Sequence, residues 1–191
     1  MRKFAWLITR IFDPTIEIPL AVGMTVWFAV EPSLRLMMLL FIGVFYVLLP
    51  AIYFVVRIRK GKVSDWDVTK REERRAIYQF SIVSHLVGVL AVASLEQFFL
   101  MKILLILWIV SVVFMVINMY WKISVHAGVN AFLMVLLNNF YGWKIFGWLM
   151  VVLLLVLWSR VYLRKHTTTQ VMAGAIIAFV LVELGMRMVG I

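Results

Sequence analysis

Long apolar runs broken by short polar interruptions fill the chain almost from end to end. A helix needs about 20 apolar residues to cross the hydrocarbon core of a bilayer. Runs of that order occur near 16–31, 34–56, 77–95, 101–120, 125–140, 143–159 and 170–189. Pro14 and Pro19 flank the start of the first run, and Glu31-Pro32-Ser33 turns the chain into the second. The fifth run is short and ends in Asn138-Asn139, with Tyr141-Gly142 as a natural turn before Trp143. The pattern predicts an all-α fold, a polytopic transmembrane helical bundle of six or seven spans, with seven as the working count. Arg10 and Asp13 interrupt the N-terminal apolar run too early for a signal-peptide core. Phe4 to Phe12 therefore reads as an amphipathic stretch lying at the interface, and residues 1–15 as the interfacial start of a single integral membrane domain covering 1–191.

Composition agrees with that pattern. Hydrophobic residues make up 65% of the 191 positions and charged residues 15%. Soluble domains average about 45–50% and about 25%. A chain this short cannot hide so much apolar surface in its own interior, so lipid must act as its solvent. No polar stretch is long enough for a second, soluble domain. The net charge of +10 would suggest nucleic acid in a soluble protein. Here the basic residues sit between apolar runs, and membrane lipids with anionic headgroups or a phosphorylated lipid are the expected partners, with no nucleic acid. The absence of cysteine removes disulfides and thiolate metal sites. The 12 Met and 8 Trp residues suit packing and interfacial anchoring and call for no cofactor.

Three polar segments punctuate the bundle: 57–75, 121–128 and 159–170. One helical hairpin lies between the first and second, and another between the second and third. Each hairpin goes out and back, so all three segments are expected on one membrane face. With seven spans the N-terminus joins them. That face would then hold all of the 19 Lys and Arg residues except Arg35, Lys102, Lys144 and Arg187. The positive-inside rule makes it the cytoplasmic face of a cell membrane, unless some of these cations serve a bound phosphate instead.

Candidate chemistry sits in the same segments. Ser159-Arg160 is followed by His166, by Thr167-Thr168-Thr169 and, one helical turn after the histidine, by Gln170. A lone histidine at a membrane boundary is as often an interfacial residue as a reactive one. The second segment adds Lys122, Ser124 and His126 where a new helix begins. A helix N-terminus presents unpaired amide donors suited to phosphate oxygens. Lys122 adds a point charge, Ser124 a hydroxyl, and His126 a group that exchanges protons near neutral pH. Taken singly, Ser-Val-His is more simply a helix cap beside a hydrogen-bonded histidine. The first segment supplies Arg71, Arg74 and Arg75, with Asp65 and Asp67 upstream. Guanidinium groups match phosphate in bidentate fashion, although a run of mixed charge is commonly a solvated loop. His85, Asn118 and Asn130 read as interhelical hydrogen-bonding groups. Glu183 and Arg187, four residues apart, read as an ion pair.

Together the segments resemble the type 2 phosphatidic acid phosphatase (PAP2) superfamily of membrane lipid phosphatases. That family carries K-x6-R-P, P-S-G-H and S-R-x5-H-x3-D motifs. The third reads here as Ser159-Arg160, then His166, then Gln170, with the family spacing. The second reads Ile123-Ser124-Val125-His126, keeping the serine and the histidine. The first is degenerate, since no Lys stands seven residues before Arg74 or Arg75 and no Pro follows.

The resemblance implies hydrolysis of a lipid phosphomonoester or diphosphate, of polyprenyl, phosphatidic acid or phosphatidylglycerophosphate type. His166 would be the nucleophile forming a phosphohistidine, and His126 the acid that protonates the leaving oxygen. Arg160, Ser124, Lys122 and one or more of Arg71, Arg74 and Arg75 would hold the phosphate. Phosphoryl transfer needs positioning and charge stabilisation above all, and enough fixed cations can serve without a metal; none is expected. Gln170 stands where the family has an aspartate. Its carbonyl can still accept a hydrogen bond from His166, but the negative charge is gone. That change keeps a second reading open, a non-catalytic protein that binds or transports a lipid phosphate in the same basic pocket. A third reading is phosphoryl transfer to an acceptor other than water.

Overall fold

The computed structural model describes residues 1–190; Ile191 lies outside them. Ten α-helices follow one another: α1 Arg2–Ile11, α2 Pro14–Ala29, α3 Arg35–Gly43, α4 Leu49–Arg59, α5 Arg71–Ser94, α6 Phe98–Tyr120, α7 Val125–Tyr141, α8 Trp143–Phe146, α9 Leu149–Tyr162 and α10 Thr168–Val189. No strand occurs among the described residues. The all-α expectation holds, and each apolar run read from the sequence lies mainly on helix.

Among the described residues, five stretches are long and apolar enough to cross a membrane: Arg2–Ala29, Pro32–Arg59, Arg71–Ser94, Phe98–Tyr120 and Thr168–Val189. Leu36, Leu40, Leu90, Leu154 and Leu184 are each more than half exposed, as befits side chains whose solvent is lipid. The chain is thus a membrane protein. The expected count of six or seven spans is not confirmed. At 1.5 Å per residue, the 17 residues of α7 and 14 of α9 reach roughly 26 and 21 Å, against about 30 Å of hydrocarbon. An apolar run has two possible hosts, lipid or protein. In α7 nearly every side chain from His126 to Phe140 is buried by the protein itself.

Residues fall into two compact units, Val22–Trp121 on one side of the division and Met1–Ala21 with Lys122–Ile191 on the other. In the first, α4 and α6 both pack on α5. A short π-helical stretch, Val44–Leu48, joins α3 to α4 just ahead of Pro50. Proline has no N–H to give the preceding turn, and the Ser84 hydroxyl donates to the Phe45 carbonyl at 2.6 Å. His85 stacks on the Tyr46 ring with centroids 4.2 Å apart, a packing role rather than an exposed reactive one.

The second unit is built around α7, with α9 and α10 packed against it and α1 against α9. Ile8 on α1 meets Val152 and Val156. The amphipathic N-terminal stretch therefore spends its Ala5, Ile8 and Thr9 face on protein and leaves Phe4, Trp6, Leu7 and Ile11 exposed. Asn130, buried in α7, donates to Glu17 Oε2 at 2.6 Å and to its own-helix His126 carbonyl at 2.8 Å. Its expected role as an interhelical hydrogen-bonding group is met. Glu183 and Arg187 pair at 3.0 Å, also as expected.

Helix α10 comes close to the start of α7. A Cβ placed on Gly174 would stand 2.7 Å from the Ser124 carbonyl oxygen and 3.4 Å from the Ala127 Cβ. Small residues let helix backbones approach in membranes, where packing replaces the hydrophobic effect between helices. Gly174→Ala should therefore lower the unfolding midpoint in detergent by the equivalent of about 1–3 kcal/mol, the usual cost of overpacking. Gly23→Ala, whose Cβ meets nothing within 4 Å, should leave it unchanged or slightly raised.

Candidate active site

Two of the three polar segments meet in the α7–α9–α10 unit, and local backbone rules explain how. Helix α9 carries Ser159 and Arg160 in its last turn. It ends with Arg164 in the left-handed region at φ 55°, a costly conformation for a residue with a side chain. The turn folds the chain back, so that the Lys165 and His166 amides both donate to the Arg160 carbonyl, at 3.0 and 3.3 Å. The spacing between Ser159-Arg160 and His166 is the length of that reversal.

Helix α10 then starts with a capping box. The Thr167 hydroxyl accepts from the Gln170 amide at 3.3 Å, and Gln170 Oε1 accepts from the Thr167 amide at 3.2 Å. Thr-x-x-Gln is the pattern for this reciprocal cap. The same Gln170 oxygen lies 3.1 Å from His166 Nδ1. An amide oxygen can only accept, so the bond holds a proton on Nδ1 and leaves the lone pair of the ring on Nε2. His166 is 7% exposed.

At the start of α7, Ser124 is the N-cap, its hydroxyl accepting from the Ala127 amide at 3.4 Å. Its own amide donates to the Gln170 carbonyl at 3.4 Å, and Lys122 Nζ donates to the Lys165 carbonyl at 3.0 Å. These bonds, with the Gly174 approach, tie the segment bearing Lys122, Ser124 and His126 to the one bearing His166 and Gln170.

Arg160 is 1% exposed, and its Nη1 donates to Thr9 Oγ1 on α1 at 2.8 Å. His126 is also buried, and its Nε2 lies 3.3 Å from Asp13 Oδ2. Thr9 and Asp13 were not among the residues expected at the site. Asp13 does carry a local signal, because Asp-Pro-Thr is the start of a capped helix. Thr9 carries none, since its partner lies 151 positions away.

The three arginines of the first segment belong to the other unit and have tasks there. Arg71 Nη1 donates to the Met119 carbonyl at 3.0 Å, and Arg74 Nε to the Val68 carbonyl at 2.8 Å. Arg75 is exposed. Asp65 organises the loop before them by accepting from the Asp67 and Thr69 amides. Among the described residues no group of three or more His, Cys, Asp or Glu side chains is placed to hold a metal ion.

Comparison with known families agrees with this geometry. The class defined is a helical membrane protein with two histidines, a buried arginine and a lysine on adjoining helix ends. Residues 118–190, which span α7 to α10, match the PAP2 superfamily family model. Over that segment, less than half of its length, the chain is similar to the PAP2 superfamily. No curated protein and no solved structure matches the chain.

Gln170 serves the α10 cap and the His166 ring with one oxygen. Gln170→Ala should therefore lower stability by about 1 kcal/mol, the value of a helix cap, and change the His166 ring ¹⁵N shifts. Gln170→Glu keeps the reach of both bonds and should retain the stability. Thermal unfolding in micelles and histidine-selective NMR check both outcomes.

Proposed function

We propose that this protein is a lipid phosphate phosphatase of the cell membrane that works through a phosphohistidine. The observation that carries the reading is the His166–Gln170 bond. It presents the Nε2 lone pair of a buried histidine beside a turn anchored on the carbonyl of a buried arginine. In the first step Nε2 of His166 attacks phosphorus and the bond from phosphorus to the lipid oxygen breaks. His126 gives that oxygen a proton, and the lipid alcohol leaves. In the second step water attacks the phosphohistidine, its proton passes to His126, the N–P bond breaks and inorganic phosphate departs.

Arg160, Lys122 and Ser124 supply the positive and hydrogen-bonding surface for the phosphate oxygens, the main requirement of phosphoryl transfer. A site at helix ends suits a substrate whose tail stays in the bilayer. The concentration of Lys and Arg in the polar segments supports a cytoplasmic position for it. One observation favours a second reading. The partner of His166 is a neutral amide, which cannot stabilise the imidazolium by charge, and such a pocket would also serve a protein that binds lipid phosphate without turning it over.

Phosphate release in micelles separates the two. The purified chain should liberate phosphate from at least one of phosphatidic acid, phosphatidylglycerophosphate, polyprenyl phosphate and polyprenyl diphosphate. His166→Ala should lower that rate by at least about 10³-fold, as expected for loss of a nucleophile. Wild-type protein quenched in alkali should carry phosphate on His166, and acid treatment should remove it. Tight lipid binding with no release, and no difference between wild type and His166→Ala, would establish the binder instead.

A further inference from the structure

We infer that Asp13 is the positioning residue of His126, and that this dyad restores to one imidazole the carboxylate that Gln170 denies the other. The inference rests on the reading of His126 as the acid of a phosphatase.

Asp13 divides its two oxygens between two tasks. Oδ1 accepts from the Thr15 amide at 3.0 Å and from the Thr15 hydroxyl at 2.7 Å, capping the helix that Pro14 opens. Oδ2 points the other way, 3.3 Å from His126 Nε2 and 3.6 Å from Arg10 Nη1. The Asp13 and His126 side chains are only 14% and 9% exposed, so water screens little of the field between them.

A carboxylate can only accept. At 3.3 Å from Nε2, its charge favours the forms of the ring that carry a proton there, the cation and the Nε2–H tautomer. Proton exchange with the reaction then falls to Nδ1. As the lipid oxygen leaves phosphorus, the Nδ1 proton passes to it, and the ring relaxes to the neutral Nε2–H form without turning. In hydrolysis Nδ1 takes the proton of the attacking water and the cation forms again beside Asp13. A carboxylate in this position stabilises the charged form and fixes the tautomer, the same two services that an aspartate performs for a catalytic histidine elsewhere.

Asp13→Asn isolates these services. Asparagine caps helices about as well as aspartate, so α2 stays capped. The two Thr15 donors claim its oxygen, which turns the NH2 toward His126. An amide N–H can only donate, so His126 is forced into the opposite tautomer.

Two measurements on the full chain in micelles test the proposal. In ¹⁵N-histidine spectra, which contain three ring systems, Asp13→Asn should change the tautomer pattern of His126 while His85 and His166 stay as they are. In kinetics, the leaving group decides. A lipid alkoxide needs an acid, whereas p-nitrophenolate does not. Asp13→Asn should reduce kcat/KM, which ends at the phosphohistidine and omits the hydrolysis common to both substrates, by about 10²–10³-fold on phosphatidic acid, the range of general acid catalysis, and by less than about fivefold on p-nitrophenyl phosphate. Adding His126→Ala should cost little more.

An unchanged His126 spectrum would overturn the proposal, and so would an equal loss on both substrates, which marks a merely structural residue. If wild type releases no phosphate from either substrate while the His126 tautomer still depends on Asp13, the dyad stands and the phosphatase reading falls.

Discussion

Everything in the α7–α10 unit depends on two helix backbones touching at Gly174. The Ser124 carbonyl occupies the space a side chain would need there. That approach lets the Ser124 amide reach the Gln170 carbonyl and the Lys122 ammonium reach the Lys165 carbonyl. Neither contact would survive a helix spacing wider by one methyl group. The constraint is steric and apolar, yet what it secures is polar: the start of α7 is tied to the start of α10 and to the turn before it.

Polar groups in such a unit serve twice because apolar surroundings make each unsatisfied atom expensive. Gln170 closes a capping box and orients His166. Asp13 caps α2 and faces His126. Asn130 bonds Glu17 on one helix and a carbonyl on its own. Ser124 caps α7 while its amide is held by α10. Groups with reactive chemistry are thereby locked by the bonds that terminate helices, and the site inherits the rigidity of the fold rather than that of a loop.

What could be read from the sequence follows from how local each signal is. Helix positions came through because apolar runs announce themselves, and the spacing of Ser159, Arg160 and His166 is that of a single helix end and turn. The span count is a less local property. Runs such as 125–140 look alike whether lipid or protein surrounds them, and α7 is surrounded by protein. The arginines at 71 and 74 show how little a residue type says about its partner. A guanidinium suited to phosphate is equally suited to carbonyl oxygens, and Met119 and Val68 supply those. Thr9 and Asp13 could not be placed at the site from sequence because tertiary packing alone delivers them to Arg160 and His126. The Thr-x-x-Gln box at 167–170, by contrast, was legible and went unread behind the family motif.

In the proposed reaction, the location of negative charge gives the arrangement its chemical sense. A phosphate substrate is itself an anion, and a carboxylate on the nucleophile's side adds repulsion that cations must offset. Gln170 orients His166 through an uncharged oxygen and adds none. Asp13 carries its charge on the other imidazole, beside Arg10 at 3.6 Å and partly neutralised by it. The imidazole whose task is to hold and release a proton is the one that gains from an adjacent anion, because the anion stabilises the charged ring before transfer and fixes its tautomer after it. A nucleophile at His166 would need the lone pair on Nε2 more than a counter-charge, and an amide oxygen on Nδ1 leaves it there. Dividing the two services between Gln170 and Asp13 thus gives each histidine the partner its own step requires.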